Sequence, residues 1–228
     1  MTATEKGLVH VAGVIDLAEA KMLIASGFGF LGFPLVLDHH EEDLSAKDAS
    51  AIVAELGKRS TFFVITYLNT ASAIVDICCE LGVNMVQLHG EVSVAELQRL
   101  RGAKPDLRVI KSLIVQGDNF KDLRDDLALF APLVDAFITD TFDPATGARG
   151  ATGKTHDWDV SRRIVEFSPI PVILAGGLNA DNVRAAIAAV QPAGVDVHTG
   201  IEARDGRKSP ELSRKFVSEA HAAFTGLI

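Results

Sequence analysis

"PVILAGGLNADNVRAAIAAVQPAGVDVHTG", residues 171–200, is the stretch from which the rest of the chain can be read. An unbroken apolar run ends in the pair Gly176-Gly177, and an amphipathic run opened by Asn179 follows. A second apolar run, 194–199, then ends at Thr199-Gly200. A strand buried on both faces is apolar throughout rather than alternating, and a helix between two such strands makes them parallel neighbours.

The same alternation extends outward in both directions. Apolar runs at 8–12, 28–33, 61–68, 84–89, 108–115 and 135–140 precede the two already named. Between them, Asp16 with Glu19, Ser45 with Asp48, and Ser93 with Glu96 have the spacing of helix-start capping pairs. Gly27, Gly57, Gly82 and Gly102 stand where helices should stop. Eight strand-helix units without a Pro-rich or Ser-rich linker predict a single α/β domain over 1–228, a (β/α)8 TIM barrel. An open, doubly wound sheet is the alternative.

Composition narrows the function. The chain has 228 residues, 48% of them hydrophobic, enough for a large core. A net charge of −8 with no basic stripe argues against nucleic acid as a partner. No apolar run is long enough for a bilayer, and MTATEKG lacks the apolar stretch of a signal peptide, so no membrane partner is expected. Cys78 and Cys79 adjoin inside a helix pattern, where they read as packing atoms rather than a disulfide or metal pair. A reduced, cytoplasmic setting follows as the expectation.

A barrel of this kind works at the carboxyl ends of its strands. Gly176, Gly177, Thr199 and Gly200 follow strands seven and eight, the usual phosphate-binding turns, where a missing Cβ lets backbone N–H groups approach an anion. RGATGKTHDW (149–158) adds a loop whose Gly153 is placed to close over the same ligand. The glycines before GKT lack the spacing of a nucleotide-binding P-loop. A small phosphorylated metabolite is the expected partner, with monomer and homodimer both open.

VQLHG (86–90), TGKTHDW (152–158), LAGGLNADNV (174–183) and GVDVHTGIE (194–202) together resemble phosphoribosylanthranilate isomerase, in order along the chain. The resemblance implies a phosphoribosyl-type ligand and an Amadori rearrangement, an aminoaldose becoming an aminoketose. It implies a general acid at the end of strand six, where Asp140 stands, and a Cys base in strand one, where this chain has Ala12. An Arg after strand two, which the resemblance assigns to an aryl carboxylate, corresponds to a stretch LDHHE ending at Glu41. Both departures predict slow turnover of the family's own substrate.

Other groups are candidates for the missing base. His198 shares parity with Asp196, so both should face the barrel mouth; the imidazole fits either proton transfer or a phosphate contact. His39 and His40 fit a solvated loop, a base or a metal ligand, and Asp38, His39 and His89 could together offer a divalent metal its donors. Lys111 points inward by parity, toward substrate or, in a lyase, a Schiff base. Asp16 reads as a helix cap or a replacement base, His10 as a hydrogen-bonded core group, and Trp158 and Phe142 as packing. Three functions remain open at this point: acid–base isomerisation of a phosphorylated sugar or aminosugar without a cofactor, metal-assisted epimerisation or aldol cleavage, and an inactive barrel that binds a phosphometabolite.

Overall fold

Strand and helix alternate from β1 (Leu8–Ala12) and α1 (Leu17–Ala25) to β8 (Gly194–Val197) and α8 (Pro210–Thr225). Between them come β2 (Phe30–Pro34), α2 (Ala46–Leu56), β3 (Thr61–Thr66), α3 (Ala71–Leu81), β4 (Met85–Leu88) and α4 (Val94–Ala103). The order continues with β5 (Arg108–Val115), α5 (Phe120–Phe130), β6 (Ala136–Thr141), α6 (Trp158–Phe167), β7 (Val172–Leu174) and α7 (Val183–Val190). The computed structural model describes residues 6–37, 43–141 and 157–226.

All pairings are parallel, and the strands close in sequence order: His10 of β1 lies beside Phe30 of β2 on one side and Asp196 of β8 on the other. That closure excludes the open sheet. The strands are apolar throughout because both faces are covered. One face fills the barrel with Phe63, Met85, Ile110, Ala136, Ile138 and Ile173. The other, including Val11, Leu31, Val64 and Val195, packs under the helices. Each such side chain contributes about 1.5–3 kcal/mol on leaving water.

The three capping pairs form as the spacing requires: Asp16, Ser45 and Ser93 each accept the N–H three residues on. Two helix ends differ from expectation. Gly102 lies inside α4, which runs on to Ala103. Asn179 does not open α7; its side chain accepts the N–H groups of Asp181 and Asn182, and the helix begins at Val183.

Candidate active site

The turns after β7 and β8 are interlocked. Gly176 and Gly177 adopt φ of +100° and +64°, a left-handed backbone that favours glycine. Gly200 packs so tightly on the other turn that a Cβ there would overlap the carbonyl oxygen of Leu178 and stand 2.9 Å from its carbon. Thr199, Gly200 and Ile201 form one turn of 3-10 helix. Four of the five expected phosphate residues therefore come from two turns in contact. Gly153, the fifth, lies outside the described residues.

Asp140 stands at the end of β6, where its Oδ1 accepts the N–H of Thr141 at 2.7 Å. Burial pushes its carboxyl above the usual range, while nearby His89 and the Thr141 N–H pull the other way. Asp196, on β8, is buried, and its Oδ1 has no hydrogen-bond partner among the described residues. Burial first, then the charge of Asp140, push its carboxyl up to about 8, against the pull of Lys208. Asp196 thus holds a proton near neutrality, with the Asp140 carboxyl close enough to contribute to that.

His89 closes the other side of the mouth. Its Nδ1 lies 3.1 Å from Oγ of Ser112, which also accepts from Nε2 of Gln87 at 3.4 Å. Its ring meets Tyr67 edge-on, with centroids 5.0 Å apart. Sequence reading assigned no role to Ser112, Gln87 or Tyr67. Ser112 and Gln87 have the parity of the barrel-filling Ile110 and Met85, which could have pointed to them.

Lys111 is the clearest correction. It shares parity with Val109 and Leu113, which pack under the helices, so it faces α5 and not the mouth. Its Nζ donates to the carbonyl of Ser112 at 3.0 Å and lies 6.0 Å from the Phe130 ring centre. Burial lowers it to about 8, partly countered by Asp126 and Glu91. A Schiff base with a ligand in the mouth is out of its reach.

His10 differs too. It is fully buried against Phe30, ring centroids 4.5 Å apart, and neither ring nitrogen has a hydrogen-bond partner among the described residues. Burial, with the Arg108 charge, lowers it to about 3. Asp16 is committed elsewhere, capping α1 through the Glu19 N–H at 2.8 Å and pairing with Arg207 at 2.6 Å. Ala12 places only a methyl group at the end of β1, buried with Ala175 and Ile65. His198 lies beside that end, its ring against Gly13.

His39, His40, Asp38 and Glu41 lie outside the described residues, as does Phe142. Among the described residues, no three His, Cys, Asp or Glu side chains gather as a metal site. No helix among them is long and apolar enough to cross a membrane.

The fold and the mouth together define a class: a (β/α)8-barrel enzyme with its ionisable groups on the strand ends beside glycine turns. The family model described as N-(5'-phosphoribosyl)anthranilate (PRA) isomerase matches residues 35–219, and the chain belongs to that isomerase family. N-(5'-phosphoribosyl)anthranilate isomerase 2 of Methanosarcina mazei is 35% identical over 217 residues, covering 95% of each chain. The isomerase of Haloferax volcanii is also 35% identical, over 94% of this chain and 93% of its own. The crystal structure of phosphoribosyl anthranilate isomerase from Thermotoga maritima superposes with a TM-score of 0.79 at 28% identity, covering 94% of this chain and 98% of its own. Another phosphoribosyl anthranilate isomerase structure, in complex with reduced 1-(o-carboxyphenylamino)-1-deoxyribulose 5-phosphate, has a TM-score of 0.77 at 26% identity, over 94% and 98%. None of these similarities favours the metal-assisted or inactive alternatives, nor supports the expectation of slow turnover.

Proposed function

We propose that this chain catalyses the aldose-to-ketose rearrangement of a phosphorylated N-ribosyl amine, with N-(5'-phosphoribosyl)anthranilate the first substrate to test. The observation that carries the proposal is a pair of carboxyls in the barrel mouth, with Asp196 held protonated near neutrality by burial and by the charge of Asp140, beside the interlocked turns after β7 and β8. The phosphate is held by Gly176, Gly177, Thr199 and Gly200. Asp140 gives a proton to the ring oxygen as the sugar opens, and Asp196 keeps the pair supplied with that proton.

The rearrangement moves hydrogen within one molecule, so it needs no redox partner. The setting that suits it is cytoplasmic, with a small phosphorylated metabolite as partner and the chain working as a monomer or homodimer.

The test is conversion of N-(5'-phosphoribosyl)anthranilate by purified protein, followed by loss of the anthranilate fluorescence. Wild type should convert it, and Asp140→Asn should lower kcat/KM by about 10²–10⁴ with the fold intact. Wild-type conversion no faster than the uncatalysed rate would overturn the proposal.

A further inference from the structure

An acid at Asp140 needs a partner that takes a proton from carbon, and Ala12 has none to offer. We propose that His198 is that partner, and that Glu202, anchored by Lys208, positions its imidazole; the catalytic half of this rests on the isomerase reading above.

The anchoring is the firmest part. Lys208 has 2% of its side chain exposed, and its Nζ donates to Oε1 of Glu202 at 2.6 Å. Its backbone is pinned as well, the N–H donating to Oε2 of buried Glu19 at 2.9 Å. Glu202 and Lys208 face each other across an antiparallel bridge that closes the loop between them. The Glu202 carboxylate is therefore fixed from side chain and backbone alike.

That carboxylate lies 3.8 Å from Nε2 of His198, within ion-pair range of a protonated ring. The ring itself rests on Gly13, the residue after Ala12. A Cβ there would overlap Nε2 and stand 2.7 Å from Cδ2, and φ of +76° already favours glycine. The imidazole of β8 thus covers the end of β1, where it remains 30% exposed to a ligand.

The other groups are less suited. Asp196 is buried and holds a proton near neutrality. His89 has Nδ1 engaged with Ser112. Among the described residues, the ionisable groups on the elements that carry or touch the His198 ring include His10, Asp196, Glu202, Arg204, Asp205, Lys208 and the mutually paired Asp16 and Arg207.

In the step proposed, His198 takes the proton from C2 of the ring-opened iminium ion that forms when Asp140 protonates the ring oxygen. The C–H electrons form the C1–C2 double bond, and the imine electrons settle on nitrogen. The imidazolium then returns its proton at C1 as the C2 hydroxyl gives its own to the Asp140 carboxylate left by ring opening, so that the ketone forms and both groups regain their starting states. Glu202 favours the imidazolium that exists between these events.

The experiment compares wild type with His198→Gln, Glu202→Gln, Lys208→Met and Lys208→Arg, using N-(5'-phosphoribosyl)anthranilate. His198→Gln should lose about 10²–10⁴ in kcat/KM. Glu202→Gln should lose about tenfold in kcat with KM little changed, and the acid limb of its kcat/KM profile should move to lower pH by about half a unit or more. Lys208→Met, which frees the Glu202 carboxylate from its anchor, should also lower kcat, with Lys208→Arg nearer wild type. A ring-proton NMR titration of His198, assigned by its loss in His198→Gln, should move the same way in Glu202→Gln whether or not substrate turns over.

Full activity in His198→Gln with an active wild type overturns the catalytic role and leaves the isomerase reading standing. An NMR titration unchanged in Glu202→Gln overturns the positioning role. An inactive wild type overturns the isomerase reading and the role of His198 together, and the titration still decides whether Glu202 positions the ring.

Discussion

Arg207, in the loop after β8, pairs with Asp16, the cap of α1, at 2.6 Å, tying the first and last loops across the seam where β1 meets β8. Asp16 does two jobs there and Arg207 only one. The Glu19 N–H is the main reason the Asp16 carboxyl sits below its ordinary range, with Arg207 adding to it. Asp16→Ala should cost about 1 kcal/mol, as the loss of a cap does. Arg207→Ala removes a half-exposed ion pair and should cost about 0.5 kcal/mol or less. Urea unfolding of both variants checks the order, and equal losses would count against it.

Asp196 gives stability a slope on the alkaline side. Its folded carboxyl, raised to about 8, lies above its ordinary value of 3.8, so the folded state binds the extra proton between these limits. The stabilisation is complete below the lower value and is lost as pH rises through the upper, at up to about 1.4 kcal/mol per pH unit. Asp196→Asn removes that loss. Unfolding free energies at pH 5 to 8 should therefore drift in favour of the variant as pH rises, and a constant difference would contradict the burial of an ionisable carboxyl.

His10 acts on the acid side. Its folded value of about 3 lies below the ordinary 6.5, so only the unfolded chain takes up the proton between them. Stability is full above 6.5 and falls as pH drops toward 3, again by up to about 1.4 kcal/mol per unit. His10→Leu, close in volume and without a ring nitrogen to leave unpaired, should unfold with a flatter acid slope. Parallel slopes for the two proteins in chemical denaturation between pH 4 and 7 would show that His10 is protonated in the fold.

Two glycines make opposite predictions for one substitution. Gly200→Ala drives a methyl group into the Leu178 carbonyl and should cost about 3 kcal/mol or more, taking the affinity for inorganic phosphate with it. Gly102→Ala meets nothing within 4 Å in the last turn of α4 and should gain about 0.5–1 kcal/mol. Thermal melts with and without phosphate read both effects. A stable Gly200→Ala would mean the turns are not locked together.

The eight units were legible because each strand is apolar on both faces and each of three helices announces its start with a capping pair. The same apolarity hid the orientation of Lys111. Parity separates two faces of β5, but with both buried it does not say which one lines the barrel. A lysine whose ammonium lies over Phe130 and feels the charge of Asp126 looks, in sequence, like one aimed at a ligand. Lys208 was passed over for a related reason. Six positions after Glu202, in a run rich in charge, nothing in ARDGRKS marks the one ammonium that is buried. His10 was placed in the core correctly, yet only packing against Phe30 and Phe63 reveals that its nitrogens go without partners.

The lock between Gly200 and Leu178 also sets a direction for how such a barrel can diverge. A change in either turn must be matched at once in the other, so these two turns resist piecemeal substitution. The adjoining end of β1 has a lock of its own, the His198 ring against Gly13, but Ala12 beside it presents only a methyl group. A single substitution at Ala12 can therefore place a new side chain at the mouth while both glycine locks stay as they are.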